Sequence, residues 1–383
     1  MATAAQGTRF PAAPLVDQHS NGVLHTELGL ATFETHLATA LGARIPAHGT
    51  FYDTRAGLAL RRWCPPLLGL EPHCPPARYL ARRRQLGAYA SARALLRGSG
   101  IGWFLVESAH PAPETGTRGL TSPAELASLC DTDAPVRESV RLEALAAQVA
   151  DTSGSVRSFV ANTAEALHGA ARGAALFACE AAFREGEPPG VGEVHRAASR
   201  WFRARALSRA APRGEPIPGG GLREEPTLVR HLVWSALVTG RPLQLHCGDP
   251  APLRAFLGAA EGVGAPVVLL PRVPHHAAAA RFAAAFPHVY ADVGPDPGVT
   301  LGEAPFAKLL FSTRAHALPE LYVLRARAFT GALGRLLETW TADGVCSRTD
   351  AARIAGYLGH GNARRLYRLD AGEEAGGVGA GSS

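Results

Sequence analysis

The chain has 383 residues, 46% of them hydrophobic and 19% charged, which is ample apolar material for a large core. Its net charge of +6 is spread thinly through short clusters (RRW, ARRR, NARR) with no accompanying aromatic module, which argues against a nucleic-acid partner. No run of about 18 uncharged apolar residues occurs, so no membrane-spanning helix is predicted, and the N-terminal MATAAQGTRFPAAP lacks the apolar segment of a secretory signal.

Residues 1–14 read as a flexible N-terminus. Short apolar runs rich in β-branched residues then recur at 15–19, 102–107, 138–143, 174–179, 242–247, 266–270, 288–293 and 308–312. A long insertion at 57–100, with helical stretches of its own, separates the first two and reads as a cap. Ser122-Pro123-Ala124-Glu125 carries the signature of a capping box. The segment 211–221 is a Pro/Gly-rich loop, Pro319-Glu320 opens a helix reaching about Trp340, and Thr349-Asp350 is placed as the cap of the next helix. The Gly/Ala/Ser-rich residues 370–383 read as a disordered tail. Strands alternating with helical segments predict a parallel sheet with crossover helices. Eight such runs fit a closed (β/α)8 barrel spanning 15–369.

The six cysteines form no CxxC pair or zinc-ribbon spacing and are expected to be thiols, several of them buried, in a cytoplasmic protein. Lys308 is the sole lysine. In such a barrel the chemistry sits at the C-terminal strand ends. The first strand ends in Asp17-Gln18-His19-Ser20-Asn21 and the fifth in His246-Cys247-Gly248-Asp249, so a histidine stands at each tip. Glu107 ends the second strand and is a candidate acid/base. A Cys247–His246 dyad is disfavoured, because neighbours on a strand point to opposite faces.

VDQH (16–19), RRWCPPLLGLEPH (61–73), PLQLHCGDP (242–250), FPHVYADVG (286–294), KLLFST with LPELY (308–322) and GNARRLY (361–367) run collinearly along the chain. In these segments the chain resembles the amidohydrolase-related group of the amidohydrolase superfamily, including the hydrolase-like domain that occurs joined to glutamine-synthetase-like domains. The resemblance implies a (β/α)8 barrel holding zinc or another divalent metal. That metal would activate water for attack on a C–N or C–O bond. It also implies an HxH pair on strand one, histidines on strands five and six, an aspartate on strand eight and, in some members, a carboxylated lysine or a glutamate on strand four.

Carried over residue by residue, the pattern is incomplete. His19 and His246 match; Asn21 stands for the second strand-one histidine, Pro271 for the strand-six histidine and Arg314 for the strand-eight aspartate. The strand-four acid or lysine should fall near Ala178, and no lysine is within reach. Arg314 exchanges an anionic ligand for a permanent cation, and like charges a few ångströms apart cost on the order of several kcal/mol.

Two expectations follow. One is a degenerate barrel that binds a small anionic ligand or a partner through Arg314 and Arg272, with Arg314 pairing to Glu320 as the plain structural alternative. The other is a working metal-dependent hydrolase whose site is rebuilt from His19 and His246 with His275, His276 or His316, the first two of which otherwise simply start a helix. Assembly as a homo-oligomer is compatible with both. Ligating atoms converging on one point favour the second expectation; a guanidinium filling that point favours the first.

Overall fold

The computed structural model describes residues 13–42, 44–45, 48–107, 119–130, 134–180, 183–210 and 220–372. The expected flexible N-terminus, Pro/Gly-rich loop and C-terminal tail lie almost wholly outside that set. Eight strands pair in one sheet in sequence order: β1 (Leu15–Ser20), β2 (Ile101–Glu107), β3 (Val136–Arg141), β4 (Leu176–Glu180), β5 (Leu243–Cys247), β6 (Val267–Pro271), β7 (Val289–Asp292) and β8 (Leu309–Leu310). β1 pairs with β2, and β3 through β7 pair in succession, all in parallel, and helices alternate with the strands, as in a (β/α)8 barrel. Just past β8, the Phe311 carbonyl accepts from the Gln18 amide of β1 at 3.1 Å. All of β1 and β6 is buried, as expected of parallel strands covered on both faces.

The expected strand boundaries hold within about two residues. The third differs because Leu142 and Glu143 already belong to the helix Leu142–Thr152, so the strand ends at Arg141. The helix Arg348–Gly356 is capped by Ser347, not by Thr349-Asp350: the Ser347 hydroxyl accepts from the Asp350 amide, and the Asp350 carboxylate answers the Ser347 amide. The Ser122–Glu125 capping box is present. Five cysteines are buried. Lys308 tucks its ammonium among the carbonyls of Phe286, Pro287 and Val289 at the entry to β7. Among the described residues no helix is long and apolar enough to cross a membrane.

The chain packs as two compact units. One contains β1, β2, the insertion and the helices Pro319–Ala342 and Arg348–Gly356; the other holds β4 to β7 with their crossover helices. In the first, the insertion supplies the helices Arg55–Trp63, Pro76–Leu86 and Ala88–Arg97, the first and last of which pack on Pro319–Ala342. Glu320, in the first turn of that long helix, is fully buried and accepts from Tyr79 Oη at 2.6 Å and Arg83 Nη1 at 2.9 Å. Glu320 is therefore an interior anchor for the insertion rather than a surface partner for Arg314. In the second unit, Gln244 of β5 donates to the Tyr367 hydroxyl at 3.0 Å, tying the last helix, Asn362–Tyr367, to the strand that bears His246.

Removing one partner of a buried ion pair strands the other charge, which costs about 3–5 kcal/mol. Glu320→Ala is expected to lower unfolding stability by about that amount, and Tyr79→Phe by about 1 kcal/mol; urea denaturation measures both. Burial also lowers the pKa values of His231, His288 and His360 below 6.5. The unfolded chain then binds protons more readily than the folded one. The contribution of these groups is complete above their unfolded values and is lost as pH falls through the folded ones. The melting temperature should therefore drop on acidification below about pH 6.5, less steeply in His231→Gln.

Candidate metal centre

The site starts with the polar tip of β1. Asp17 is fully buried, and its Oδ1 accepts from the backbone amides of Thr313 at 2.7 Å and His19 at 3.3 Å. Its Oδ2 takes the Thr313 hydroxyl. The chain after β8 then runs beside the chain after β1. Arg314 N donates to His19 O at 2.9 Å, Asn21 N to Ala315 O at 2.8 Å, and Ala317 N to Gly22 O at 3.1 Å. Gly22 has to be glycine, since a Cβ there would lie 2.1 Å from the Thr121 carbonyl oxygen.

This scaffold holds His19 next to the last position of β1, only 5% exposed. Glu107, the last residue of β2, is equally buried, and Ser20 and Val106 are register partners, so the two tips advance together. His246 stands on β5, half-buried, in register with Glu180 of β4 and Leu270 of β6. One ligand atom each from His19, Glu107 and His246 lies within 4.8 Å of the others. A group of two histidines and one carboxylate can hold a metal ion. Ligands at about 2.0–2.2 Å from a tetrahedral ion stand about 3.3 Å apart, so modest side-chain rotation brings these three into range. The donor set suits zinc or a first-row divalent ion, with positions left open for water or substrate.

The other expected residues lie as follows. Asn21 uses its backbone carbonyl to accept from the Tyr322 hydroxyl. Arg314 is half-buried and adopts a left-handed backbone (φ 49°), an uncommon conformation for a side chain of its size. His275 is the N-cap residue of the helix His276–Ala285 and faces Asp249 at 3.8 Å; His276 is buried in the first turn. His316 is half-buried, its pKa lowered by burial and by His36, while Glu107 pulls it back up. Pro271 closes β6, and Arg272 beyond it faces Glu180 at 3.6 Å. Cys247 is buried. Sequence reasoning took Glu107 for an acid/base and did not foresee it beside the two histidines; a carboxylate ending the strand next to β1 was the available signal.

No family model matches the chain. Its sequence is 29% identical over 195 residues to protein fluG of Emericella nidulans, a match covering 44% of this chain and 22% of that protein. The chain thus spans well under a third of the length of that curated relative. A proposed metal-dependent hydrolase from Lactobacillus casei ATCC 334 superposes with a TM-score of 0.75 at 18% identity, over 95% of this chain and 98% of that one. A uronate isomerase from Thermotoga maritima does so with a TM-score of 0.62 at 12% identity, over 94% and 95%. A second uronate isomerase, from Bacillus halodurans C-125, gives 0.58 at 10% identity, over 95% and 96%. The parallel eight-stranded sheet and these structural neighbours together establish a (β/α)8 barrel fold for the chain.

Proposed function

We propose that this protein is a metal-dependent hydrolase acting on C–N or C–O bonds of a small molecule, with one divalent ion held by His19, Glu107 and His246. The observation that carries this reading is the convergence of three ligand atoms at the tips of β1, β2 and β5. When bound, the ion supplies Lewis-acid chemistry, polarising a substrate oxygen and acidifying a water.

The remaining work falls to the chain. Asp17 fixes the β1 tip through the His19 amide, so the His19 ring is presented from rigid backbone. Glu107 contributes the negative charge for which the sequence resemblance expects an aspartate on strand eight. His316, half-buried with its pKa lowered by burial, stays neutral near pH 7 and is the candidate proton acceptor. The positive charge of Arg314 favours an anionic group or an oxyanion in the site.

A second reading is a barrel that binds a small anion through Arg314 and Arg272 without turnover. It is favoured by Arg314 standing where an acid is expected.

Metal analysis of protein purified without chelators tests the first reading. About one equivalent of zinc or manganese is expected, and His19→Ala, Glu107→Ala and His246→Ala should each lower its affinity by at least about 100-fold. Hydrolysis of a panel of small esters and amides should vanish on chelation and return with the metal. Protein that binds no metal even after reconstitution overturns the proposal and leaves the anion-binding barrel.

A further inference from the structure

Three guanidiniums and two carboxylates gather at the C-terminal ends of β3, β4 and β6. Arg141 ends β3, Glu180 ends β4, Arg272 follows β6 directly, and Arg223 comes from the short 3-10 helix Leu222–Glu224 between β4 and β5. Glu180 is the hub. Its Oε2 lies 2.5 Å from Arg223 Nη2 and 3.6 Å from Arg141 Nη2, and its Oε1 lies 3.6 Å from Arg272 Nη2. Glu143 supports the group from below: its Oε2 is 3.3 Å from Arg141 Nε, and its Oε1 accepts from the Glu180 amide at 2.7 Å.

The most stabilising charge-assisted pairs close to hydrogen-bond length. Here two of the three contacts to Glu180 exceed hydrogen-bond length. The Arg223 and Arg272 side chains are 51% and 75% exposed, so both guanidiniums present donors to solvent. The cluster also adjoins the metal-ligating strand. Glu180 is the register partner of His246, and Arg272 N donates to the Cys247 carbonyl at 2.9 Å. Neighbouring strands stand about 4.8 Å apart, so a molecule touching His246 can reach this cluster with one end.

We propose that Arg141, Arg223 and Arg272 form the subsite for a carboxylate group of the substrate, with Glu180 as the internal carboxylate that holds the guanidiniums together until the substrate arrives. The planar fork of arginine fits a carboxylate edge, and the exposed Arg223 and Arg272 side chains can turn donors toward it. The substrate class is then a carboxylate-bearing small molecule whose reacting bond lies on the His246 side. The placement of that bond rests on the metal-centre reading; the carboxylate subsite does not.

Binding of propionate to the full-length, metal-stripped chain, followed by calorimetric titration, reads the subsite alone. Saturable binding is expected. Arg272→Gln and Arg223→Gln change exposed side chains and should each weaken binding about tenfold, with an unchanged melting temperature and, before stripping, an unchanged metal content. Glu180→Gln removes the competing carboxylate and should tighten it. Wild-type affinity in both arginine variants, or weaker binding in Glu180→Gln, overturns the subsite. Tighter binding of inorganic phosphate than of propionate overturns the assignment to a carboxylate. Metal lost from the arginine variants assigns these residues to the metal centre instead. Propionate binding retained in His19→Ala, with metal lost, shows that the subsite and the metal centre stand or fall separately.

Discussion

The Asp17 carboxylate carries the geometry of the candidate site. It is fully buried, and it gathers the His19 amide from its own strand together with the amide and hydroxyl of Thr313 from the chain beyond β8. A buried carboxylate is tolerated only when its oxygens are met by donors, so this residue binds the first and last strand tips into one arrangement. The backbone bonds of Arg314, Asn21 and Ala317 continue that seam outward. His19 is placed by it, and so is the left-handed turn at Arg314.

The resemblance read from the sequence expects an acid on strand eight, where this chain carries Arg314; the carboxylate that comes within 4.8 Å of the His19 and His246 ligand atoms is Glu107, at the end of β2. Two imidazoles and a carboxylate again make a workable donor set, reached from different strands. The arginines around Glu180 place positive charge at the tips of β3, β4 and β6, which in the proposed subsite favours negatively charged small molecules.

The insertion between β1 and β2 is held from its side by Glu320, Tyr79 and Arg83, an interior ionic and hydrogen-bonded cluster. Glu320 is thus engaged in the interior, its Oε1 shared between Tyr79 and Arg83 of the insertion.

The alternation of apolar runs and helical stretches determined the barrel from the sequence, because strand and crossover periodicities are local and survive in one dimension. The strand-tip histidines were legible for the same reason: they terminate runs whose ends could be read. Capping was legible at Ser122 and misread by two residues at Ser347, where several polar residues compete for the same role. Only the tertiary structure decided that Glu107 joins His19 and His246, since their proximity depends on the register between β1 and β2 and on the ring order of the sheet. Glu180 with Arg141, Arg223 and Arg272 was hidden likewise. These residues are far apart in the chain and converge because parallel strands place all their C-terminal ends on one side.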